Sequence, residues 1–595
     1  MPPAFANLLR LLALGLLLAA TAGTAEAMEL RTVTVQGLDD EEMRDNVEDA
    51  LSLNRLNPNR RRNVSDSRLA YLLRQAPREA RGALEPFGFY EPQVETRFVR
   101  DGEALDVTVT VVLGEPVRVH KLALVLTGEG ETDSVLMRRL ERFRPRVGEV
   151  FHHGVYEESK TAVSRSLSDR GYFDAELLRH RVEVTRAQRR ADVDLAWTSG
   201  ARYAFGDATF QGHQFRPGLL EKLVPWTPGD PFTQARLRTL QTSLVNLDYF
   251  AGIDIRPEPD AAQDLQVPVT VTLVPGKRTV YSAGVRYGTD TGLGVTGGID
   301  RRWVNDRGHK TRTLVSLAER RNDATVQYKI PAFAWLDGWY SVSASVQQET
   351  LEFVDSELFE VVGSRSGKLG RWTLIAAMNF RRERYDDVSA GERLGYSTLV
   401  FPSLLAQWSD ADGEFYPRRA RALRAEISGG SDAAGSDINF VQLRAEGRWV
   451  LPAGEEDRVL LRAEAGTTSS NEFSQFPPSL RFYAGGDRSV RGYGYKEIGR
   501  FLLDPNGRRF VFGGKHLLVA SAEYERMFTS EWGGAVFVDA GDAFDAFDRL
   551  TWQVGVGVGV RWRSPVGPVA VDVAHGFGEN AQQSIRLHLN IGPKL

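Results

Sequence analysis

The chain has no cysteine among its 595 residues, which excludes disulfides, iron–sulfur clusters, thiolate zinc sites and cysteine nucleophiles. It also lacks an excess of one charge, since 74 lysines and arginines stand against 78 aspartates and glutamates. Nucleic-acid-binding proteins usually carry a basic excess, so we expect no nucleic-acid partner. The sequence contains no Walker, H-E-x-x-H or G-x-S-x-G motif. We therefore predict that the protein is not an enzyme and binds no cofactor or metal.

Long apolar runs are also missing, with one exception near the N-terminus. Residues 11–20 are apolar, follow a single positive side chain and precede the small-x-small sequence Ala25-Glu26-Ala27. This layout predicts a signal peptide over residues 1–27. No later stretch reaches the roughly 18 apolar residues that a spanning helix needs. If the mature chain crosses a membrane, it must be as a β-barrel, because only helices and closed barrels satisfy their own backbone in lipid.

Glycine and tryptophan divide the sequence into two parts. Residues 277–595 hold 38 of the 57 glycines and nine of the 11 tryptophans. The first part instead repeats a short strand ending in glycine, two helical stretches, an aromatic pair and two strands. The aromatic pairs begin at Phe89, Tyr172 and Tyr249, so the repeat is about 80 residues long. We predict tandem α+β domains (β-α-α-β-β), with three unrelated α+β domains as the alternative; the predicted bounds are 28–115, 116–199 and 200–276.

The second part alternates apolar and polar residues along almost its whole length. From Trp552 to Trp562 every second residue is valine or tryptophan. Residues 584–591 alternate in the same way, with His588 on the polar side. Apolar-out and polar-in alternation with tryptophan at strand ends is typical of outer-membrane barrels. Residues 277–595 accommodate about sixteen antiparallel strands of ~9–11 residues with their connections. A soluble sandwich would alternate similarly, but the signal peptide and the missing apolar helices favour a transmembrane antiparallel β-barrel.

One connection in this second part is much longer than a spacer needs to be. Residues 471–509 follow a predicted strand and contain Arg491, which has few polar neighbours in the sequence. Two strands later, alternation turns Asp539 towards the lumen, and Glu523, Arg561 and Asp572 face the lumen in the same way. A carboxylate inside a barrel favours a cation, so we predict that the loop folds inwards and that Arg491 binds Asp539 bidentately. The alternative is that these charges merely line a wet channel.

At these residues the sequence resembles the Omp85 superfamily. Val490-Arg491-Gly492-Tyr493 resembles the V-R-G-Y signature of that family's sixth extracellular loop, and Phe537-x-Asp539-x-Gly541 resembles the barrel-wall motif that the loop arginine contacts. Glu523-Tyr524 resembles a further barrel motif of the family. The N-terminal repeats resemble POTRA domains. Three such domains before a barrel of about sixteen strands are most similar to the TamA branch of the superfamily.

The resemblance implies an outer-membrane factor that assembles or translocates β-barrel clients such as autotransporters. It implies a weak seam between the first and last barrel strands, here residues 278–288 and 584–591. It also implies POTRA domains in the periplasm, a TamB-like periplasm-spanning partner at the first of them, and unfolded outer-membrane clients. A two-partner-type secretion channel, a phospholipid-transport component and, more remotely, a lipid hydrolase are the alternatives. The predicted seam residues are Tyr281, Gly284, Gly288, Leu587, Leu589, Ile591, Gly592 and Pro593, where Gly592-Pro593 would end the last strand.

Overall fold

The computed structural model describes most of the chain beyond the predicted signal peptide. The described residues are 28–333, 338–350, 354–387, 392–413, 416–454, 456–503, 509–565, 567–578 and 585–591. The signal peptide prediction and the seam residues Gly592 and Pro593 therefore lie outside them. The contacts divide the chain into two compact units. One contains the chain up to Asp207 with residues 226–239 and 257–269, and the other contains residues 208–225, 240–256 and 270 onwards.

Three small α/β sheets follow one another along the first part of the chain. The first repeat contains β1 (Glu29–Gln36), α1 (Glu41–Ala50), α2 (Pro58–Arg61), α3 (Asp66–Leu84), β2 (Gln93–Asp101) and β3 (Ala104–Val112). The second contains β4 (Arg118–Thr127), α4 (Ser134–Glu141), α5 (His153–Asp169), β5 (Glu176–Thr185) and β6 (Arg190–Thr198). The third contains β7 (Ala204–Gln211), α6 (Gln234–Asn246), β8 (Phe250–Pro257) and β9 (Gln266–Pro275). In each sheet the last strand lies in the middle, in the orders β1-β3-β2, β4-β6-β5 and β7-β9-β8.

The third repeat departs from the predicted pattern of two helices. Where its first helix was expected, residues 221–223 form a single 3-10 turn. Pro217, Gly218 and Pro225 bracket this segment, and proline and glycine both disfavour a continuous helix. None of the helices that the structure describes is long and apolar enough to cross a membrane.

The aromatic pairs that mark the repeats lie where one domain meets the next segment. The N–H of Val117 donates to the carbonyl of Gly88 at 2.8 Å, immediately before the first pair. The hydroxyl of Tyr90, in that pair, lies 2.7 Å from Nε2 of His153 at the start of α5. Burial raises the pKa of Tyr90 to about 12 and lowers the pKa of His153, so both groups are neutral at pH 7. A neutral hydrogen bond therefore fixes the joint between the first two domains.

The second part of the chain is a sixteen-stranded antiparallel sheet, which confirms the predicted fold class. Its strands are β10 (Thr279–Gly288), β11 (Gly292–Arg301), β12 (Lys310–Ala318), β13 (Arg321–Pro331), β14 (Gly338–Thr350), β15 (Val354–Leu369), β16 (Trp372–Asp387), β17 (Glu392–Ala411), β18 (Ala420–Gly430), β19 (Phe440–Pro452), β20 (Asp457–Ser470), β23 (His516–Met527), β24 (Trp532–Phe544), β25 (Gln553–Ser564), β26 (Gly567–Phe577) and β27 (Ile585–Ile591). A short hairpin, β21 (Phe501–Leu503) with β22 (Arg509–Val511), lies between β20 and β23.

Side chains alternate across the barrel wall as the sequence pattern requires. On β24, Val536 and Val538 are 53% and 45% exposed, whereas Phe537 and Asp539 are 5% and 0% exposed. The valines face outwards, where lipid would cover them, and the buried pair faces the lumen. The period of two thus determines which residues are available for a site inside the barrel.

The first and last strands, β10 and β27, lie next to each other but are not paired with each other among the described residues. Their Cα atoms come within 8 Å of one another, yet among the described residues no ladder joins them. β10 pairs along its whole length with β11, and β27 pairs with β26. Five consecutive residues of β10, numbers 281–285, are exposed, so neither face of its middle is covered. We refer to this boundary between β10 and β27 as the seam.

Candidate functional site

The connection between β20 and β23, residues 471–515, is anchored inside the barrel, and we refer to it as the lumen loop. The N–H of Ser479 donates to Glu383 of β16 at 3.2 Å. Nζ of Lys496 donates to Glu349 of β14 at 2.8 Å. These anchors lie on strands well separated from β23 to β27, which hold the centre of the loop. The loop therefore crosses the lumen and contacts opposite parts of the wall.

Arg491 lies at the centre of this arrangement and binds three carboxylates at once. Its Nε and one terminal nitrogen donate to the two oxygens of Asp539, at 2.7 and 3.0 Å. Its other terminal nitrogen donates to Glu523 at 2.7 Å and to Asp572 at 2.9 Å. Ser521 donates to Asp539 at 2.6 Å. The side chain of Arg491 is 6% exposed and that of Asp539 is 0% exposed, so this is a buried charge cluster with a bidentate centre.

The cluster continues towards β20 through a second arginine. Arg561 donates to Glu523 at 2.7 Å and to Glu525 at 2.9 Å. Glu525 in turn accepts from Arg458 at 2.7 Å. Arg462, also on β20, donates to the backbone carbonyls of the lumen loop at positions 488 and 489. Buried charges need paired partners to persist, and this chain of contacts supplies them across β20, β23 and β25.

Aromatic and glycine residues shape the space around Arg491. The guanidinium carbon of Arg491 lies 3.3 Å from the ring centroid of Phe537, a cation–π contact. A side-chain carbon on Gly555 would overlap the carbonyl oxygen of Arg491, and one on Gly557 would overlap the ring of Phe537. These lumen-facing glycines therefore give clearance for the loop and for the aromatic ring.

The other residues of the loop signature are also buried against the wall. Val490 is 0% exposed and packs in an apolar cluster with the loop and β23. A side-chain carbon on Gly541 would lie 3.0 Å from its Cγ2, so glycine makes room for it there. Gly492 has φ +92° and a backbone N–H that donates to Nε2 of His588 at 3.0 Å. The hydroxyl of Tyr493 donates to the carbonyl of Phe577 at 2.9 Å.

The predicted seam residues that the structure describes lie on β10 and β27. Tyr281 is 76% exposed and Leu587 is 59% exposed. Ile591 is 48% exposed, and Leu589 is half-buried. A side-chain carbon on Gly284 would approach Thr296 at 3.0 Å, and one on Gly288 would lie 4.0 Å from Asp487 of the lumen loop. The structure thus places these residues together at one boundary, next to the loop.

One group of side chains has the composition of a cation site. Asp290, Asp487 and His588 each offer an atom within 4.8 Å of the others, and they are the one such group in the part of the chain that the structure describes. Burial and then the nearby Asp487 raise the pKa of Asp290, in the turn after β10, to about 6. Both nitrogens of His588 already have hydrogen-bond partners. A metal would have to displace one of them, so the group is better explained as a hydrogen-bonded contact.

Sequence reasoning found Arg491, Asp539, Glu523, Arg561 and Asp572 but missed several of their neighbours. Arg458, Arg462 and Glu525 also lie at lumen-facing positions of alternating strands, so the signal was present in the sequence. Asp487 carried no such signal, because it lies in an irregular loop whose path depends on distant strands. His588 was recognised as lumen-facing, but its partner could not be inferred.

A cavity of about 100 Å³ adjoins the charge cluster and is bordered by Arg462, Asp487, Arg491 and His588. Arg462 and His588 lie on β20 and β27, so this space lies between the lumen loop and the barrel wall.

Comparison with known proteins matches both parts of the chain. Residues 307–594 match the Omp85 superfamily domain. Residues 32–113 match the first POTRA domain of TamA, and residues 203–276 match the POTRA domain described as a surface antigen variable number repeat. The outer membrane protein assembly factor BamA of Nitratidesulfovibrio vulgaris is 23% identical over 458 residues, which cover 74% of this chain and 57% of that protein. The chain thus spans little more than half the length of that relative.

A second BamA, from Neisseria meningitidis serogroup B, is 22% identical over 210 residues, covering 29% of this chain and 26% of that protein. Among solved structures, BamA from Haemophilus ducreyi lacking POTRA domains 1–3 superposes with a TM-score of 0.65 at 15% identity, covering 80% of this chain and 99% of that one. That likeness supports the fold, and the domain matches identify the family. The chain belongs to the Omp85 superfamily, as an outer-membrane β-barrel protein with periplasmic POTRA domains, the first of which is of the TamA type.

Proposed function

We propose that this protein inserts or secretes β-barrel clients, such as autotransporters, through the seam between β10 and β27. The observation that carries the proposal is the absence of a ladder between these adjacent strands among the described residues. Unpaired N–H and C=O groups in lipid are costly, and a client strand can satisfy them by β-augmentation. The seam is therefore both a weak point of the barrel and a template for a new strand.

The lumen loop supports a route through the seam rather than through the pore. It crosses the lumen, and Arg491 holds it to three wall carboxylates. A passive channel would need this buried cluster to break for every passage. Breaking such a cluster leaves uncompensated buried charge, at about 3–5 kcal/mol per lost partner. We infer that the cluster fixes the loop and keeps the wall in the working conformation while the seam opens.

We also propose that a TamB-like, periplasm-spanning partner docks on the first POTRA domain. The TamA-type match at residues 32–113 supports this choice of domain. Its sheet has two edges, β1 and β2, because β3 is central. On β2, Phe98 and Val99 are 52% and 66% exposed. An edge strand with exposed apolar side chains offers a surface for strand addition by another chain.

The test is site-specific photo-crosslinking of the full chain in bacterial cells that express an autotransporter. A photoreactive residue at Tyr281 or Leu587 should crosslink the client during assembly. The matched control is Ile427 on β18, which is 46% exposed on the same outer surface but far from the seam. A photoreactive residue at Phe98 should crosslink the periplasmic partner, whereas Val147, 61% exposed in the second domain, should not.

Equal client crosslinking at Ile427 and at the seam would contradict the proposed route. Crosslinking of a secreted client only from lumen positions would favour the two-partner-type channel. A loss of phospholipid in the outer membrane on deletion, without any client adduct, would favour the phospholipid-transport alternative.

A further inference from the structure

Asp487 lies where the lumen loop passes both strands of the seam. Its Oδ1 accepts a hydrogen bond from the hydroxyl of Thr289, in the turn after β10, at 2.6 Å. The same oxygen lies 2.5 Å from Nδ1 of His588 on β27. The N–H of Asp487 donates to Asp290 at 3.0 Å. One loop residue therefore contacts the first strand's turn and the last strand simultaneously.

The protonation of His588 follows from its second partner. The N–H of Gly492 can only donate, so Nε2 of His588 must accept it. Nδ1 then donates to the carboxylate of Asp487, so the loop orients the imidazole at both nitrogens. The side chains of His588 and Asp487 are 5% and 8% exposed, so the contact is buried.

The two strands are not held equally. β27 has further links to the loop, because Arg586 donates to both carboxylate oxygens of Glu497 at 2.9 Å and Gly492 contacts His588. β10 is reached through its turn, by Thr289 and Asp290, and both of these contacts go to Asp487. Since no ladder joins β10 to β27 in the described residues, the hold on β10 at the seam depends on one loop residue.

We propose that Asp487 pins the seam shut by fastening the turn after β10 to the loop that carries β27. Release of Thr289 and Asp290 would detach β10 from the loop, although β10 stays paired with β11. β27 would stay on the loop through Arg586 and Gly492. The pin itself is a property of the empty barrel; its use in client assembly rests on the proposed function.

The test measures strand positions in the purified full-length barrel without client. Because the chain has no cysteine, spin labels can be placed at single engineered cysteines without background. Electron–electron distances are measured from Ile427 on β18 to Val285 on β10, and from Ile427 to Leu587 on β27. Asp487→Ala removes the carboxylate that accepts from Thr289 but keeps the backbone N–H that donates to Asp290. In this variant the distance to β10 should gain a second, displaced component, while the distance to β27 should keep the native distribution.

Two further variants keep the test decisive. Thr289→Val removes the hydroxyl that binds Asp487 and should give a smaller displaced component in the distance to β10. The Thr289→Val, Asp487→Ala double variant should change no more than Asp487→Ala alone, because both substitutions break the same link. Asp545→Ala is the matched control, since Asp545 pairs with Arg500 of the same loop at 2.9 Å, away from the seam. Heat-modifiable migration in gels shows whether each variant is folded. If Asp487→Ala does not fold, the distance to β10 in Thr289→Val alone tests the pin.

An unchanged β10 distance in Asp487→Ala, or an equal change at β27, would overturn the pin. If β10 is released but no client ever crosslinks at the seam, the pin stands and the proposed function fails. If clients crosslink at the seam while the β10 distance never changes, the function stands and the pin fails.

Discussion

At the scale of single residues, the barrel interior is organised around one arginine. A guanidinium has five donors in a fixed plane, and Arg491 uses four of them on Asp539, Glu523 and Asp572. The sequence predicted the bidentate contact with Asp539, because alternation and an unpartnered arginine are local features. It did not predict that three carboxylates share the arginine, because that requires knowing how β23, β24 and β26 neighbour one another across the wall.

Removal of the arginine should therefore be more harmful than removal of any one carboxylate. Arg491→Gln is expected to lower the free energy of unfolding by about 3–5 kcal/mol, because three buried carboxylates lose their shared cation. Asp539→Asn should lower it less, since Glu523 and Asp572 still face the arginine. Urea unfolding of the full chain in lipid vesicles measures both.

A charge swap provides the control. In the Arg491→Glu, Asp539→Arg double variant, the new glutamate would face Glu523 and Asp572, so stability should not return to that of the parent. Full recovery in the double variant would mean that Asp539 is the arginine's only important partner.

At the scale of elements, the lumen loop depends on strands whose glycines leave space for it. The alternating glycines of β25 were visible in the sequence, but their role was not, because it depends on a loop about 65 residues away in the chain. The helical pattern of the third repeat was similarly misleading, since the segment near Glu221 forms only a 3-10 turn. The role of the β25 glycines depends on tertiary context, whereas the third repeat loses its helix through its own prolines and glycine.

Gly555→Ala should dislodge the lumen loop. The added carbon would overlap the carbonyl oxygen of Arg491, and overpacking of this kind costs about 1–3 kcal/mol. We expect faster trypsin cleavage within the loop, at Arg488 or Lys496, in the folded barrel. Gly363→Ala on β15 is the matched control, because a carbon there would meet nothing within 4 Å. Equal protection of the loop in both variants would show that the clearance at Gly555 is unnecessary.

At the scale of the whole molecule, a loop crosses the barrel lumen and contacts both strands of a seam that no ladder closes among the described residues. Composition, the apolar N-terminal run and the period of two were sufficient to predict a barrel of about sixteen strands, and the structure has sixteen. A barrel strand shows its two environments along its own sequence. The contacts of Asp487 could not be predicted, because they join the turn after β10, the lumen loop and β27 across almost 300 residues. The identity of the client and of the partner could not be predicted either. It depends on exposed edge strands such as β2, which the sequence alone does not distinguish from other edge strands.

The most direct test of the central claim is a disulfide across the seam. A cysteine at Leu587 is combined in turn with one at Tyr281, Ala283 or Val285, and the pair that crosslinks is kept. The control joins Ile427 to Leu443, directly paired residues of β18 and β19. With the seam disulfide oxidised, autotransporter display should be lost and should return on reduction, whereas the control should display normally in both states. Normal display with the seam disulfide closed would contradict the account.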